Sequence, residues 1–185
     1  MLRQLHVRKD SLKFDVAHMT VSPDGTKERL HGHSYRAGLT VSLNRFDFGS
    51  LLNLRDLRNA TQTVCDAWNE HFLLPLHCPH LSISSWDDAS VDFTLCSDRY
   101  VLPTKDVKVL EIENAVIEHL TVSFAIDLWR ELGRRDLNRA LIASMSVELE
   151  ESTGQGGCTT MSADELSAIA SVPTQKRPRG TLGQR

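Results

Sequence analysis

Three histidines at the ends of two predicted strands have the residue type and spacing of a metal centre. His31 and His33 lie two residues apart in a stretch that alternates in polarity, so both rings are expected on one strand face, about 7 Å apart along the backbone. His18 ends the apolar face of an earlier alternating stretch. Three neutral imidazoles that converge at a protein edge form the ligand set of a catalytic zinc ion. Periodicity alone leaves a second interpretation, in which these are half-buried histidines bonded to the backbone.

Two ionisable residues just before the His-Gly-His motif are candidates for a general base. Glu28 precedes the first histidine of the motif by three residues, and Lys27 by four. A carboxylate near zinc can accept a proton, and a desolvated lysine beside a cation can also lose its own. For Lys27 we favour a solvated position in the loop. A separate His/Cys cluster, His77 to His80, lies in a predicted loop without distant partners and is not expected to bind a metal.

The elements that must position these residues follow from the pattern of the chain. Alternation predicts strands over residues 12–18, 30–43 and 141–151, and a hairpin over residues 81–102. Two amphipathic helices are predicted to begin at the N-caps Asn53 and Asn114, and Gly133 is expected to end the second helix. This order of elements is typical of an antiparallel α+β fold.

Composition and charge narrow the class of protein. The chain has 185 residues, 41% hydrophobic and 24% charged, which predicts one soluble domain over residues 1–160 and a disordered C-terminal tail over residues 161–185. Four scattered cysteines and the lack of a long apolar run favour the cytoplasm and no membrane partner. From Val172 onward there are four basic residues and no acids, so the remainder, with 17 basic and 24 acidic residues, carries a net charge of −7. Nucleic acid is therefore not an expected partner.

Several of these segments together resemble the 6-pyruvoyl-tetrahydropterin synthase / 6-carboxytetrahydropterin synthase family. The resemblance covers about residues 5 to 160 and is carried by FDVAHM, ERLHGHSY, GSLLNLRDLR, NEHFLLP, DVKVLEIENAVIEHL and VELEES. It implies a tunnelling fold, here an antiparallel four-stranded sheet with two helices on one face plus an inserted hairpin. It also implies a homo-oligomer, commonly a hexamer, with active sites between subunits and a small pterin as substrate.

The resemblance further implies roles for individual residues. The three histidines would hold Zn²⁺, and His71, oriented by Glu70, would shuttle a proton. Glu118 keeps a glutamate of the family, and Glu151 would grip the pterin ring through its amino and ring N–H groups. The strand pattern independently favours Glu151, because it extends the apolar face of the last strand while Glu150 joins the polar face. A surface acid at a fraying strand end is the alternative.

The chain departs from the family at the position of its catalytic cysteine. Lys27 occupies that position, and Glu28 follows it. The resulting Glu-x-x-His-Gly-His resembles the type III branch of the family, which uses a glutamate and cleaves the dihydroneopterin side chain to 6-hydroxymethyl-7,8-dihydropterin in folate synthesis. This resemblance favours a zinc-dependent pterin lyase acting on 7,8-dihydroneopterin or its triphosphate.

Two alternative functions stay open at the level of sequence. One is the 6-carboxytetrahydropterin synthase reaction of queuosine and deazapurine synthesis, which the missing cysteine argues against. The other is a non-catalytic, zinc-containing pterin-binding module. Ala115 and Val116 favour this module, because the family typically has two threonines after the preceding asparagine.

Overall fold

A six-stranded sheet carries the three histidines, rather than the four-stranded sheet that the sequence predicts. The structure is a computed structural model that describes residues 3–45 and 51–172. Its helices are α1 (Leu54–Trp68), α2 (Ile117–Arg134) and α3 (Ala163–Ala170). Its strands are β1 (Arg3–His18), β2 (His31–Leu43), β3 (His71–Pro75), β4 (Leu81–Trp86), β5 (Ser90–Leu95), β6 (Asp98–Pro103), β7 (Val107–Leu110), β8 (Ile142–Ser152) and β9 (Gln155–Ser162).

The large sheet has the strand order β7-β3-β1-β2-β8-β9. Strands β1, β2, β8 and β9 pair antiparallel, whereas β3 and β7 join the edge beside β1 in parallel pairing. The α+β class is thus confirmed, and the strand number is wrong. Strands β3 and β7 are only five and four residues long, which is too short for alternation in polarity to identify them.

The predicted hairpin is a separate three-stranded sheet, with the order β4-β5-β6. The turn between β5 and β6 uses Cys96 and Ser97, both in the left-handed region with φ of 50° and 73°. One face of this small sheet buries Val91, Phe93 and Leu95 in a second core. The insertion therefore has its own apolar support and can serve as a rigid wall.

The first helix begins as predicted, and the second does not. Asn53 caps α1 by accepting a hydrogen bond from the Arg55 backbone N–H. Helix α2 begins at Ile117, where Val116 provides no side-chain cap, and it continues through Gly133 to Arg134. Tertiary contacts outweigh local preference here, because the predicted cap, Asn114, uses its amide on the loop that follows β1, next to the three histidines.

An aromatic cluster joins the helices to the strands just before the histidines. Phe14 of β1 contacts Tyr35 of β2, Trp68 of α1 and Phe124 of α2, with ring centroids 5.5 to 5.6 Å apart. All four rings are fully buried. Aromatic pairs of this geometry contribute about 0.5–1.5 kcal/mol each beyond their buried area. The cluster therefore fixes β1 and β2 relative to one another next to the candidate site.

The chain after residue 154 is more ordered than its composition predicts. Residues 155–162 pair with β8 as β9, and residues 163–170 form α3. Ser162 and Glu165 form a capping box at the start of this helix, and Leu166 is fully buried in the main core. The predicted disordered tail does not hold for residues 161–172, and its remaining part, 173–185, lies outside the described residues. All three helices pack on one side of the sheet.

None of the helices in the described ranges is both long and apolar enough to cross a membrane.

Candidate metal centre and active site

The three predicted histidines converge. One ligand nitrogen from each of His18, His31 and His33 lies within 4.8 Å of the others, and the ring centroids are 4.7 to 5.2 Å apart. Register explains this geometry, since His18 pairs directly with His31 across β1 and β2, and His33 follows two residues later on the same face. In the described parts of the chain, this is the one group of three or more metal-ligating side chains.

Backbone carbonyls orient two of the rings so that their Nε2 atoms are available to a metal ion. Nδ1 of His18 lies 2.8 Å from the Ala115 carbonyl, and Nδ1 of His31 lies 2.7 Å from the Arg29 carbonyl. Because a carbonyl oxygen only accepts, each Nδ1 must carry the proton, which leaves the Nε2 lone pair free for a metal. This arrangement unites the two interpretations of the sequence, because backbone bonding and metal binding use different ring nitrogens.

His18 fits a metal particularly well. Its Nε2 is buried and has no hydrogen-bond partner within the described residues. A buried polar atom without a partner is costly, and a metal ion would satisfy it. Burial, followed by the nearby His31 and His33, lowers the pKa of His18, which favours the neutral form that binds metals. The donor set and its protonation therefore suit Zn²⁺.

The glycine between the two motif histidines allows the strands to approach. A Cβ atom placed on Gly32 would lie 3.0 Å from the Val16 carbonyl oxygen, a backbone atom of the neighbouring strand. A side chain here would require β1 and β2 to separate by a few tenths of an ångström. The His-Gly-His motif thus favours glycine at its centre for the same strand pairing that brings the three rings together.

Glu151 lies beside the histidine cluster, on the side that the strand pattern predicts. Its Oε1 is 2.7 Å from Nε2 of His33, and a quarter of its side chain (25%) is exposed. Glu150 instead turns back and accepts a hydrogen bond from the Gly154 N–H. Tyr35 lies next to the cluster on the core side, where burial, aided by the charge of Glu151, raises the pKa of its hydroxyl. Tyr35 is therefore a neutral wall of the site.

Glu28 faces the cluster from the loop between β1 and β2. Its Oε2 is 3.9 Å from Nε2 of His31, and 56% of its side chain is exposed. Its backbone N–H donates to the Thr20 carbonyl, which holds the loop against the end of β1. The carboxylate is thus both close to the proposed metal and accessible to a substrate.

Lys27 is not the solvated loop residue that the sequence predicts. Its Nζ lies 2.8 Å from Asp98 Oδ2 and 5.3 Å from the centre of the Tyr100 ring, and only 9% of the side chain is exposed. The hydrogen bonds to Asp98 and Tyr100 raise the pKa of Lys27. A lysine held as a cation is a poor general base, so the contacts favour a role in fixing the loop to the inserted sheet.

Asn114 is a second anchor of this loop, and sequence reasoning missed it. Its side-chain amide accepts from the Val21 N–H at 3.0 Å and donates to the Val21 carbonyl at 2.7 Å. The next residue supplies the carbonyl that orients His18. One short segment before α2 therefore positions both a candidate metal ligand, His18, and the loop that carries Glu28. Its only signal in the sequence is an asparagine, a residue type that also caps helices.

The other predicted site residues lie outside the histidine cluster. His71 and Glu70 line a cavity of about 540 Å³ whose walls also include Gly32 and His33, so this cavity reaches one histidine of the cluster. The ring of His71 bonds the Asn69 carbonyl at 2.6 Å rather than the carboxylate of Glu70. Glu70 itself has a left-handed backbone with φ of 59° and is held by its N–H to the Asp15 carbonyl.

Glu118 is exposed in the first turn of α2, and its carbonyl accepts a hydrogen bond from Thr121. The histidine group that converges in the described residues does not include His77 or His80.

Comparison with known structures identifies the same fold in malaria parasites. The 6-pyruvoyl tetrahydropterin synthase of Plasmodium vivax matches with a TM-score of 0.76 and 23% identity, over 88% of this chain and 99% of that chain. The Plasmodium falciparum enzyme matches with the same TM-score and identity, over 87% and 98% of the two chains. A P. vivax enzyme in which a catalytic glutamate is mutated to alanine matches equally well. At this level of identity the likeness shows a shared fold.

No curated protein sequence matches the chain. The family model for 6-pyruvoyl tetrahydropterin synthase, however, matches residues 7–159, which include both strands of the histidine cluster and the acid at the end of β8. The chain therefore belongs to the 6-pyruvoyl tetrahydropterin synthase family.

Proposed function

We propose that this protein is a zinc-dependent pterin lyase that cleaves the side chain of 7,8-dihydroneopterin, or of its triphosphate, to 6-hydroxymethyl-7,8-dihydropterin. Family membership supports activity on a pterin side chain. The observation that carries the finer proposal is the exposed Glu28 carboxylate, 3.9 Å from a nitrogen of the three-histidine group. A carboxylate at the open side of such a group is in place to take a proton from a bound substrate.

The proposed cleavage is a retro-aldol reaction. Glu28 removes the proton from the hydroxyl on the second side-chain carbon, and the bond between the first and second carbons breaks as that hydroxyl becomes a carbonyl. The electron pair enters the dihydropterin ring, and the first carbon, which keeps its own hydroxyl, is then protonated. A zinc ion held by the three histidines would act as a Lewis acid on the side-chain oxygens. The second product is a two-carbon aldehyde, or its phosphorylated form.

Two further observations support a glutamate base. A glutamate is a catalytic residue of the P. vivax relative. Two of the four cysteines are poor substitutes, because burial raises the pKa of Cys65 to about 12 and also raises that of Cys96. A thiol with a raised pKa is largely protonated at neutral pH and is a weak nucleophile or base.

Substrate binding is assigned to two glutamates. Glu151 is half-buried against His33 and offers its carboxylate to the amino and ring N–H groups of a pterin. Glu118 would add a second acidic contact from the exposed first turn of α2.

The proton shuttle is assigned to His71 of a neighbouring copy. Within one chain, His71 lines a cavity with His33 but is not part of the three-histidine group, and its ring is held by the Asn69 carbonyl. Family members are typically homo-oligomers, and a hexamer with sites between subunits would place His71 and Glu70 of one copy beside the metal of the next. In that setting, Glu70 would orient the ring and His71 would protonate the cleaved side chain.

The proposal is tested by replacing Glu28 with glutamine in the zinc-loaded protein. Glu28→Gln keeps the size and hydrogen-bonding ability of the side chain but removes the base, so turnover of 7,8-dihydroneopterin should fall by about 100-fold or more while zinc content stays unchanged. Glu148→Gln is the matched control, because Glu148 pairs with Arg8 away from the cluster. Full activity in Glu28→Gln would show that this carboxylate is not the base.

A further inference from the structure

A large open cavity lies on the helical side of the protein, away from the histidine cluster. It has a volume of about 800 Å³ and is lined by α1, α2, α3 and the residues that follow α2. Small residues make the space, with Ala67 from α1, Gly133 from α2 and Ala170 from α3 among its walls. The volume lies within the range of small-molecule sites.

The lining of this cavity is strongly cationic. Lys108, Arg130, Arg134 and Arg139 contribute to its walls, against a single acid, Asp127. That acid is already engaged, since it accepts a hydrogen bond from the Trp68 indole at 2.9 Å and pairs with Lys108 and Arg130 at 3.2 and 3.6 Å. Arg134 is paired at 2.9 Å with Glu131, which lies outside the lining, so two carboxylates face the four cations. The remaining excess of positive charge favours anions.

Arg139 is the cation best placed to meet a ligand. Its guanidinium stacks over the Trp129 ring at 5.0 Å and lies within 3.0 Å of where a Cβ on Gly133 would be. Its hydrogen bond goes to the Trp129 carbonyl, and it has no carboxylate partner in the described residues. A guanidinium with a fixed plane and free N–H groups is the preferred group for binding phosphate.

The Trp129 indole is the second unusual feature. Trp129 is one of the lining residues and is almost fully buried, and its Nε1–H has no partner among the described residues. A buried donor without an acceptor is costly, so a small shift that brings this N–H to an anion in the cavity would be favoured.

One wall of the cavity lies beyond the part of the chain that matches the family. The match ends at residue 159, whereas Ser167, Ala170 and Ser171 belong to α3 and its C-terminus. The C-terminal helix thus completes a cavity that the family-matched region alone does not enclose. We propose that this cavity is a binding site for a small phosphate-bearing anion, separate from the catalytic site.

The site is tested with inorganic phosphate and fluorine NMR of zinc-loaded protein labelled with fluorotryptophan. Phosphate is added at constant ionic strength, because a rise in ionic strength alone weakens the interactions between exposed charges and could shift the signals. The Trp129 signal, and that of Trp68 beneath Lys108, should shift in a saturable way. Trp86 lies in the inserted sheet and serves as an internal control that should not move.

Variants assign the signal to the cavity. Arg139→Gln should weaken phosphate binding about tenfold, the effect of losing one charge-assisted hydrogen bond. Arg99→Gln, on an exposed arginine of the inserted sheet, should bind as the unmodified protein does. Ser167→Glu adds a carboxylate at the exposed wall, keeps every cation and should also weaken binding, so it covers the case in which Arg139→Gln misfolds. The proposal would be overturned if the Trp129 signal showed no saturable shift. It would also be overturned if both Arg139→Gln and Ser167→Glu bound phosphate with the affinity of the unmodified protein.

Discussion

The double hydrogen bond from Asn114 to Val21 gives the sharpest test of how the site is positioned. Asn114→Ala removes both bonds between its amide and the Val21 backbone, at 3.0 and 2.7 Å. Each bond contributes about 1 kcal/mol net, so the free energy of unfolding should fall by about 2 kcal/mol. For a chain of this length, that loss corresponds to a decrease in Tm of about 4–8 °C.

The same variant separates the structural account from the sequence interpretation of Asn114 as a helix cap. Loss of an N-cap also costs about 1 kcal/mol but would act on α2 and leave the loop unchanged. The structure instead predicts faster hydrogen exchange at the Val21 amide, because that amide donates to Asn114. Turnover should fall as the loop loosens, while zinc content should not change, because the ligands lie on strands.

Asn138→Ala is the matched control for this experiment. Asn138 is exposed and its side chain makes no capping hydrogen bond, so the substitution should change stability by less than about 0.5 kcal/mol. Thermal denaturation and hydrogen exchange measure both variants. Equal stability of Asn114→Ala and Asn138→Ala, or an unchanged exchange rate at Val21, would refute the positioning role.

Three further predictions concern the loop, the strands and the metal. Asp98→Asn removes the carboxylate partner of Lys27 and should lower turnover about tenfold, because the loop that carries Glu28 is then misplaced. The metal content, measured by elemental analysis, should not change. Unchanged kinetics would contradict this prediction. Gly32→Ala should weaken zinc affinity about tenfold in a chelator competition assay. Gly38→Ala is the control and should leave the affinity unchanged, because the new methyl group would contact only flexible side chains. Equal zinc affinities of the two variants would show that close approach of the strands is unnecessary. The pKa of His18 is lowered in the fold, so the unfolded chain binds its proton more readily, and the free energy of unfolding of the metal-free protein should decrease as the pH falls through 6.5. Denaturant titrations should show a smaller decrease for His18→Gln, and an identical pH slope would contradict the assignment.

Alternation along the strands is what made the centre of the site predictable. A period of two places His31, His33 and Tyr35 on one face, and the same rule separates Glu151 from Glu150. Convergence of the third histidine depends on the register of β1 with β2, which no single strand encodes.

The parts that could not be predicted depend on tertiary contacts or on weak local patterns. Asn114 has the sequence signature of a cap, but its amide binds a loop that is distant in sequence. Lys27 is polar and lies in a loop, yet the inserted sheet covers it through Asp98. Strand β9 contains two adjacent glycines, which predict a loop, although pairing with β8 makes it a strand. In each case a distant partner decides the structure.

Product analysis tests the central claim most directly. Zinc-loaded protein is incubated with 7,8-dihydroneopterin and, separately, with its triphosphate, and the products are identified by mass spectrometry. The account predicts 6-hydroxymethyl-7,8-dihydropterin together with a two-carbon aldehyde or its phosphorylated form. A carboxy- or pyruvoyl-tetrahydropterin product would contradict the role assigned to Glu28. The absence of any product from either substrate would contradict the lyase assignment and favour a pterin-binding module.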